Sequence, residues 1–410
     1  MFGVPYLYSY SKMNEFTYRL YCFIHSKAKR LLRRSRLSEG GIFTLAHVPK
    51  GVSKEGASEL WQAFIEGSKI EESKEFKDFL YAGYIEESQK WCLSSWIWTN
   101  AAIIRAYCSI NEVEKAKKLA SKLATKQQDC GGWIVRNDYD KKGVKPMLAP
   151  NDSAYIANNA FIELYLITKE VNYLEIAQRC AEWIIETSRS DGLVYTGFNV
   201  RDYEWDKECI IVDTGFTAGL FARLYNITSD NKYKVFLEKF VKRYIDLFYI
   251  SANKGFCTSI GRNDKHQGGM FGRGQAWALE GLIPAYRILK DNYIKEVIES
   301  TINNLIHVQC TNGGWPYNFS HPLMGEDCKA VSVIAKNMME WYAIVNDERI
   351  KESALKALDW CRKHTNIEGE AKGGIFSFCL EGAVVHDLYT SCAFVYASAY
   401  AIELNHMLKK

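Results

Sequence analysis

The chain contains no Cys-x-x-Cys pair, and its 12 cysteines are scattered over 410 residues. That argues against a dithiol motif, and a disulfide framework does not suit a chain of this length. Cys108, Cys180 and Cys392 sit inside apolar helical stretches. They read as buried free thiols of a reducing compartment, so the expected location is cytoplasmic. Excess charge of either sign is also scarce. The formal net charge is +4, which makes no case for nucleic acid and does not oppose an anionic substrate. No apolar run is long enough for a membrane span, because the aromatic first 25 residues are broken by Lys12, Glu15 and Arg19. No secretory signal is evident there. The chain has no P-loop, no His-Glu-x-x-His and no nucleophile elbow, and no metal or cofactor is expected.

What the chain does have is a repeat. Gly132-Trp133, Gly192-Leu193, Gly255-Phe256, Gly314-Trp315 and Gly374-Ile375 recur at spacings of 60, 63, 59 and 60 residues. A fixed period of this size indicates stacked supersecondary units. Between the marks lie paired segments. One of each pair is apolar nearly all round, as a helix covered on both sides would be. The other carries a polar face, as an outer helix would. The inner segments are predicted at Trp91 to Ile110, from Asp152 to Lys169, and from Asp213, Arg273, Asp327 and Asp387 onward. The outer ones are predicted at 112–127, 171–187, 231–248, 292–308 and 348–364. A sixth outer helix can come from residues 57–90. The expected fold is all-α, an (α/α)6 toroid over residues 56–410, with an open α-solenoid as the alternative. Residues 1–55 lack the repeat and read as an N-terminal extension. Its basic stretch, Lys27 to Arg36, reads as a solvated lead-in; contact with an anionic membrane surface is the less favoured alternative.

Asp152, Asp213, Arg273, Asp327 and Asp387 are spaced by 61, 60, 54 and 60 residues. In a toroid of this register they ring one mouth. Helix capping explains any one Asp, but it does not explain an Arg in the series. Two carboxylates facing a cleft can divide acid and base work. Arg273 and Trp277 lie four apart, on one helix face. The guanidinium suits a carboxylate, and the indole suits a sugar ring. The competing reading is an Arg paired to a neighbouring Asp over a core Trp. Trp205 lies in a loop that could overhang the mouth.

The string Arg273-Gly-Gln-Ala-Trp277, preceded by His266-Gln267-Gly268, resembles the signature of glycoside hydrolase family 88, the unsaturated glucuronyl hydrolases. The unsaturated rhamnogalacturonyl hydrolases are close to these. Asp152 and Asp213 match the family's two aspartates in order, separation and placement, and Trp91 to Trp98 resembles its first aromatic inner helix. The resemblance implies an (α/α)6 barrel that needs no metal. It also implies removal of a 4,5-unsaturated uronic acid from the non-reducing end of anionic oligosaccharides, by hydration of the enol ether. Asp213 would then be the acid and base, with Asp152 holding the sugar and tuning Asp213. His266, Gln267, Arg273, Trp277 and Trp96 would contact the substrate, with Trp205 beside them. The chain departs from the family pattern at Asn151, where His is common, and in a shorter stretch between Gln267 and Arg273. Two other classes stay open. One is a uronyl epimerase or lyase on the same toroid, with His266, His386, Tyr195 and Tyr389 as proton carriers. The other is a non-catalytic carbohydrate-binding protein of polysaccharide assembly.

Overall fold

The computed structural model describes residues 51–409 except 54, 86–88, 93–94, 135, 138–145, 208, 262, 321–325 and 380–389, together with a short ladder of 36–37 on 43–44. The expectations placed on the basic stretch before Arg36, and on Asp387, His386 and Tyr389, fall outside the described residues.

Six outer and six inner helices alternate among the described residues. The outer set is α1 (Ala57–Gly67), α3 (Val113–Ala124), α5 (Val171–Thr187), α7 (Asn231–Phe248), α9 (Asn292–Val308) and α11 (Glu348–Lys363). The inner set is α2 (Ile97–Ser109), α4 (150–168, with a π-helical stretch at Ala157–Ile162), α6 (Phe216–Thr228), α8 (Gly272–Leu289), α10 (Cys328–Val345) and α12 (Val395–Met407). Each inner helix packs on the next, and α12 packs on α2, so the ring is closed. Helix α1 packs against α12 and supplies the sixth outer position. A four-stranded sheet seals the same seam, in the order Phe376–Cys379, Thr390–Phe394, Gly83–Ile85, Lys90–Trp91.

Four of the five repeat marks have a physical cause, which at three of them lies in the glycine one residue before the mark. Gly131, Gly192, Gly313 and Gly373 all take positive φ, between 90° and 103°. A side chain at any of them would strike the next outer helix, at Arg179, Lys239, Lys356 and Leu60 respectively. The last of these contacts joins the final repeat to α1. The indoles of Trp133 and Trp315 each donate to a carbonyl ten residues back, Leu123 O (2.9 Å) and Leu305 O (2.8 Å), at the ends of α3 and α9. Both carbonyls lie in the last turn of their helices, where intrahelical partners run out; Leu123 O also accepts from Lys126 N (3.1 Å).

Two predicted starts need correction. The first inner helix begins at Ile97 rather than Trp91, because 90–91 and 95–96 are strands. The sixth begins at Val395, eight residues after Asp387, because 390–394 is a strand.

The barrel axis is held by a polar cluster. Arg105 reaches Glu280 (2.6 Å), Glu403 (2.9 Å) and Asn159 (2.6 Å), joining α2, α8, α12 and α4. Tyr400 donates to Glu280 (2.6 Å), so the 2.7 Å contact between Tyr155 and Tyr400 has Tyr155 as donor. Nearer the predicted mouth, α8 crosses the 3-10 turn Val212–Gly215 so closely that a methyl on Gly281 would run into the Gly215 carbonyl oxygen. Gly281→Ala is expected to cost about 1–3 kcal/mol. It should appear as a lower urea midpoint at unchanged m.

Candidate active site

Asp152 sits in the first turn of α4, two residues after Pro150 at the helix start. Proline suits that position because its missing N–H would be unpaired anyway. Asp213 sits in the 3-10 turn that leads into α6. Tyr244 fixes this turn by donating to Val212 O (2.8 Å), and Val212 N donates to Thr258 O (2.9 Å). Neither aspartate occupies the N-cap, which is Ala149 before α4 and Ile211 before the 3-10 turn. Asp327 does cap, accepting from Lys329 N at 3.0 Å. The other side-chain caps, Asp230, Asp291 and Asp347, begin outer helices at the opposite end of the barrel. N-capping therefore accounts for Asp327 and for neither Asp152 nor Asp213.

Both carboxyls are half-buried and shifted upward. Burial, with Asp213 as a neighbouring negative charge, raises Asp152 to about 8. Burial raises Asp213 to about 6, held back by the Arg273 guanidinium and a backbone N–H. Asn151 donates to Asp152 Oδ1 (3.1 Å) but brings no charge to offset burial. Between these two values the pair holds one proton, mainly on Asp152. Such a pair can donate a proton and take one back near neutral pH.

The Arg-Gly-Gln-Ala-Trp string divides its labour. Arg273, half-buried at the start of α8, lies 5.6 Å from the centroids of Phe271 and Tyr317 and is felt by Asp213. Gly274 lets Val212 approach. Gln275 is buried and clamps the backbone of Phe256, accepting from its N–H (2.7 Å) and donating to its carbonyl (2.8 Å). Trp277 is only 2% exposed. It is enclosed by Trp98 (5.8 Å), Phe216 (5.0 Å) and Tyr396 (6.0 Å). The expectation that its indole stacks on a sugar is corrected, since those rings already cover it and it forms the floor under the mouth.

The other sequence-selected residues divide similarly. Trp96 is half-buried beside the start of α2, between Trp98 (6.2 Å, 11°) and Phe394 (5.8 Å, 17°). Trp205 lies on a rim hairpin and stacks on Tyr195 (5.3 Å). That hairpin pairs with Met147–Leu148, the strand leading into α4. His266 and Gln267 are exposed on an edge strand that pairs with Ser259–Gly261. His266 Nε2 donates to Leu247 O (2.9 Å) near the end of α7, an outer helix. That nitrogen is thus committed to the scaffold, and the ring is tied to the barrel's outer layer.

Sequence reasoning missed Trp98, the half-buried hub ring between Trp96 and the floor, and Tyr317 and Lys329 beside Arg273. Trp98 stands two residues after Trp96, which was the available signal. A cavity of about 390 Å³ at the opposite end of the barrel is lined by Arg105, Glu163, Arg223, Glu280 and Lys336. Those charges largely pair with one another or with neighbouring carboxylates. Among the described residues no helix is long and apolar enough to cross a membrane.

Residues 74–406 match the Glycosyl Hydrolase Family 88 model. No curated protein matches the chain. Among solved structures, the fold is similar to that of the unsaturated glucuronyl hydrolase of Bacillus sp. GL1, with TM-score 0.66 and 13% identity over 87% of this chain and 97% of that one. It is similar to a sugar epimerase from a ruminal bacterium, at 0.67 and 14% over 86% and 97%. It is also similar to a possible GH105 member from Salmonella enterica, at 0.63 and 14% over 87% and 95%. Likeness at this identity carries the (α/α)6 fold and not the activity.

Proposed function

Because the chain belongs to glycosyl hydrolase family 88 and is a glycoside hydrolase of oligosaccharides, we propose that it removes a 4,5-unsaturated uronic acid from the non-reducing end by hydrating the enol ether. The observation that carries this reading is the pair of upshifted, uncapped aspartates beside Arg273 at one mouth. In the proposed sequence Asp213 gives its proton to C4 of the double bond. Water adds to C5 and returns a proton to the Asp213 carboxylate. The hemiketal so formed opens by breaking the C5–ring-oxygen bond, which leaves C5 a ketone and C1 a hemiacetal; the C1–aglycone bond then breaks, C1 becomes an aldehyde, and the hemiacetal proton passes to the departing aglycone oxygen. A value near 6 suits a group that must both give and regain a proton near neutrality. Asp152, neutral over most of that range, can donate a hydrogen bond to a ring hydroxyl without adding negative charge beside Asp213.

Arg273 is assigned to the sugar's carboxylate. The aromatic floor below it lets the guanidinium work in a poorly solvated place, where a charge-assisted bond is strong. Arg273→Ala is expected to weaken an unsaturated uronide at least about tenfold while leaving the neutral methyl ester nearly unchanged. Titration of both ligands checks this, and equal losses would make Arg273 structural. Trp96 and Trp205 are proposed as aromatic walls, with Trp205 on the aglycone side. The direct test of the function is a panel of disaccharides made by polysaccharide lyases. Loss of the unsaturated chromophore on any member supports the proposal, and a panel with no loss removes it.

A further inference from the structure

Lys329 is the second residue of helix α10, at the same mouth. It is 1% exposed, and its ammonium has no hydrogen-bond partner among the described residues. Its nearest anionic atom is Asp327 Oδ2 at 3.8 Å, itself without a hydrogen bond there. The ammonium faces the rings of Phe394 (4.9 Å) and Tyr317 (5.4 Å). Three features oppose a cation in this place. Burial costs it hydration, the start of a helix repels positive charge, and the Asp327 contact is too long for a hydrogen bond. A methionine would avoid these costs but leave the buried carboxylate of Asp327, the helix cap, without its counter-ion. The ion pair is one reason for the cation; a second lies outside the fold.

That reason lies across one ring. Tyr317 has Lys329 Nζ at 5.4 Å from its centroid and the Arg273 guanidinium at 5.6 Å. Two cations thus flank one wall of the mouth, and Phe394 continues that wall through Trp96 to Trp98. Asp213 feels the charge of Arg273, and Asp152 feels that of Asp213. When Asp213 carries the proton it must donate, the charges left along this wall among the described residues are Arg273, Lys329 and Asp327, one positive charge in excess. A single anionic substituent on the sugar balances that excess. Without Lys329 the same loaded state would hold an unbalanced negative charge.

We propose that Lys329 is a positioning residue that sets the charge selectivity of the site, supplying through space the positive field that admits an anionic sugar and turns its acidic group toward the Tyr317 wall. The inference rests on the anionic-sugar reading above, and it assigns Lys329 a part in recognition without contact to the reacting atoms. Burial makes the field effective, because low-dielectric surroundings screen it little.

The test uses the full-length protein, with Lys329→Met and the double variant Lys329→Met/Asp327→Asn. The double variant removes both members of the buried pair while Asn keeps the helix cap, so it stays folded if the single variant loses stability. Methyl glucuronide and methyl glucoside are titrated calorimetrically into each. The wild-type protein should prefer the glucuronide. Lys329→Met should lose about tenfold in glucuronide affinity with the glucoside unchanged, and the double variant, which again leaves Arg273 as one positive charge in excess, should recover that loss. On an unsaturated disaccharide, KM of Lys329→Met should rise more than kcat falls. A wild-type protein without preference for the glucuronide, a single variant that keeps the wild-type preference, or a folded double variant that lacks it would overturn the inference. The hydration reading fails separately. A protein that consumes no unsaturated uronide yet shows Lys329-dependent glucuronide preference loses the reaction and keeps the selectivity.

Discussion

Asp213→Asn is expected to give a folded protein that still binds an unsaturated uronide but hydrates it at least about 10²-fold more slowly. The substitution keeps the side chain's size and much of its hydrogen bonding. It removes the proton that the proposed reaction places on C4 and the carboxylate that recovers one from water. The fold should tolerate it, because Asp213 caps nothing and its turn is held by Tyr244 and Thr258 through the backbone of Val212. Burial that is only partly offset by Arg273 raises the carboxyl to about 6, so kcat/KM of the parent should fall as pH rises through that value. Arg273→Ala removes the offset, and the midpoint should then move upward. Initial rates on one active disaccharide across pH 5 to 8, with circular dichroism on each variant, measure all of this. Near-parental turnover by Asp213→Asn would remove the assigned role.

Three outer helices were legible to the residue. Segments 171–187, 231–248 and 292–308 alternate polar and apolar faces at helical period, and two of them start after a capping Asp, Asp230 or Asp291. The inner starts were less legible where a strand precedes the helix. Trp91 to Trp96 and Thr390 to Phe394 run directly into the helices they join, and stretches of five or six residues are too short for a period that separates strand from helix. The placement of Asp152, Asp213, Arg273 and Asp327 could be read because a repeat of nearly constant length returns the chain to the same mouth. What each residue does there could not. Periodicity puts Trp277 on the face of Arg273, but only packing shows that Trp98, Phe216 and Tyr396 cover it. His266 is near Arg273 in sequence and tied to α7 in space. Lys329 looks like an ordinary helix lysine until the rings of Tyr317 and Phe394 close over it.

Asp152→Asn should push stability and turnover in opposite directions. Burial and the neighbouring Asp213 keep Asp152 protonated up to about 8 in the folded protein, whereas in the unfolded chain it ionises near the ordinary Asp value of about 3.9. Between those values the folded state binds the extra proton, so this group's contribution to stability falls as pH rises. Asparagine has no proton to lose, and its carbonyl can still accept from Asn151. The variant should therefore match the parent near pH 4 and become more stable as pH approaches 8, by at least about 1 kcal/mol. Urea titrations at pH 5 and pH 8 measure the difference; a gap that does not widen with pH would show that Asp152 ionises normally. Asn151 contributes to the effect: a histidine there could bring a positive charge and pull Asp152 down, and the neutral amide cannot. Turnover should move the other way, falling at least about tenfold. The neutral carboxyl that steadies the sugar and adds no charge beside Asp213 is replaced by an amide with fixed donor and acceptor ends. A variant that gains stability at pH 8 while losing turnover would mark Asp152 as a residue kept for chemistry at the expense of the fold. A loss of both would mean instead that its carboxyl supports the start of α4.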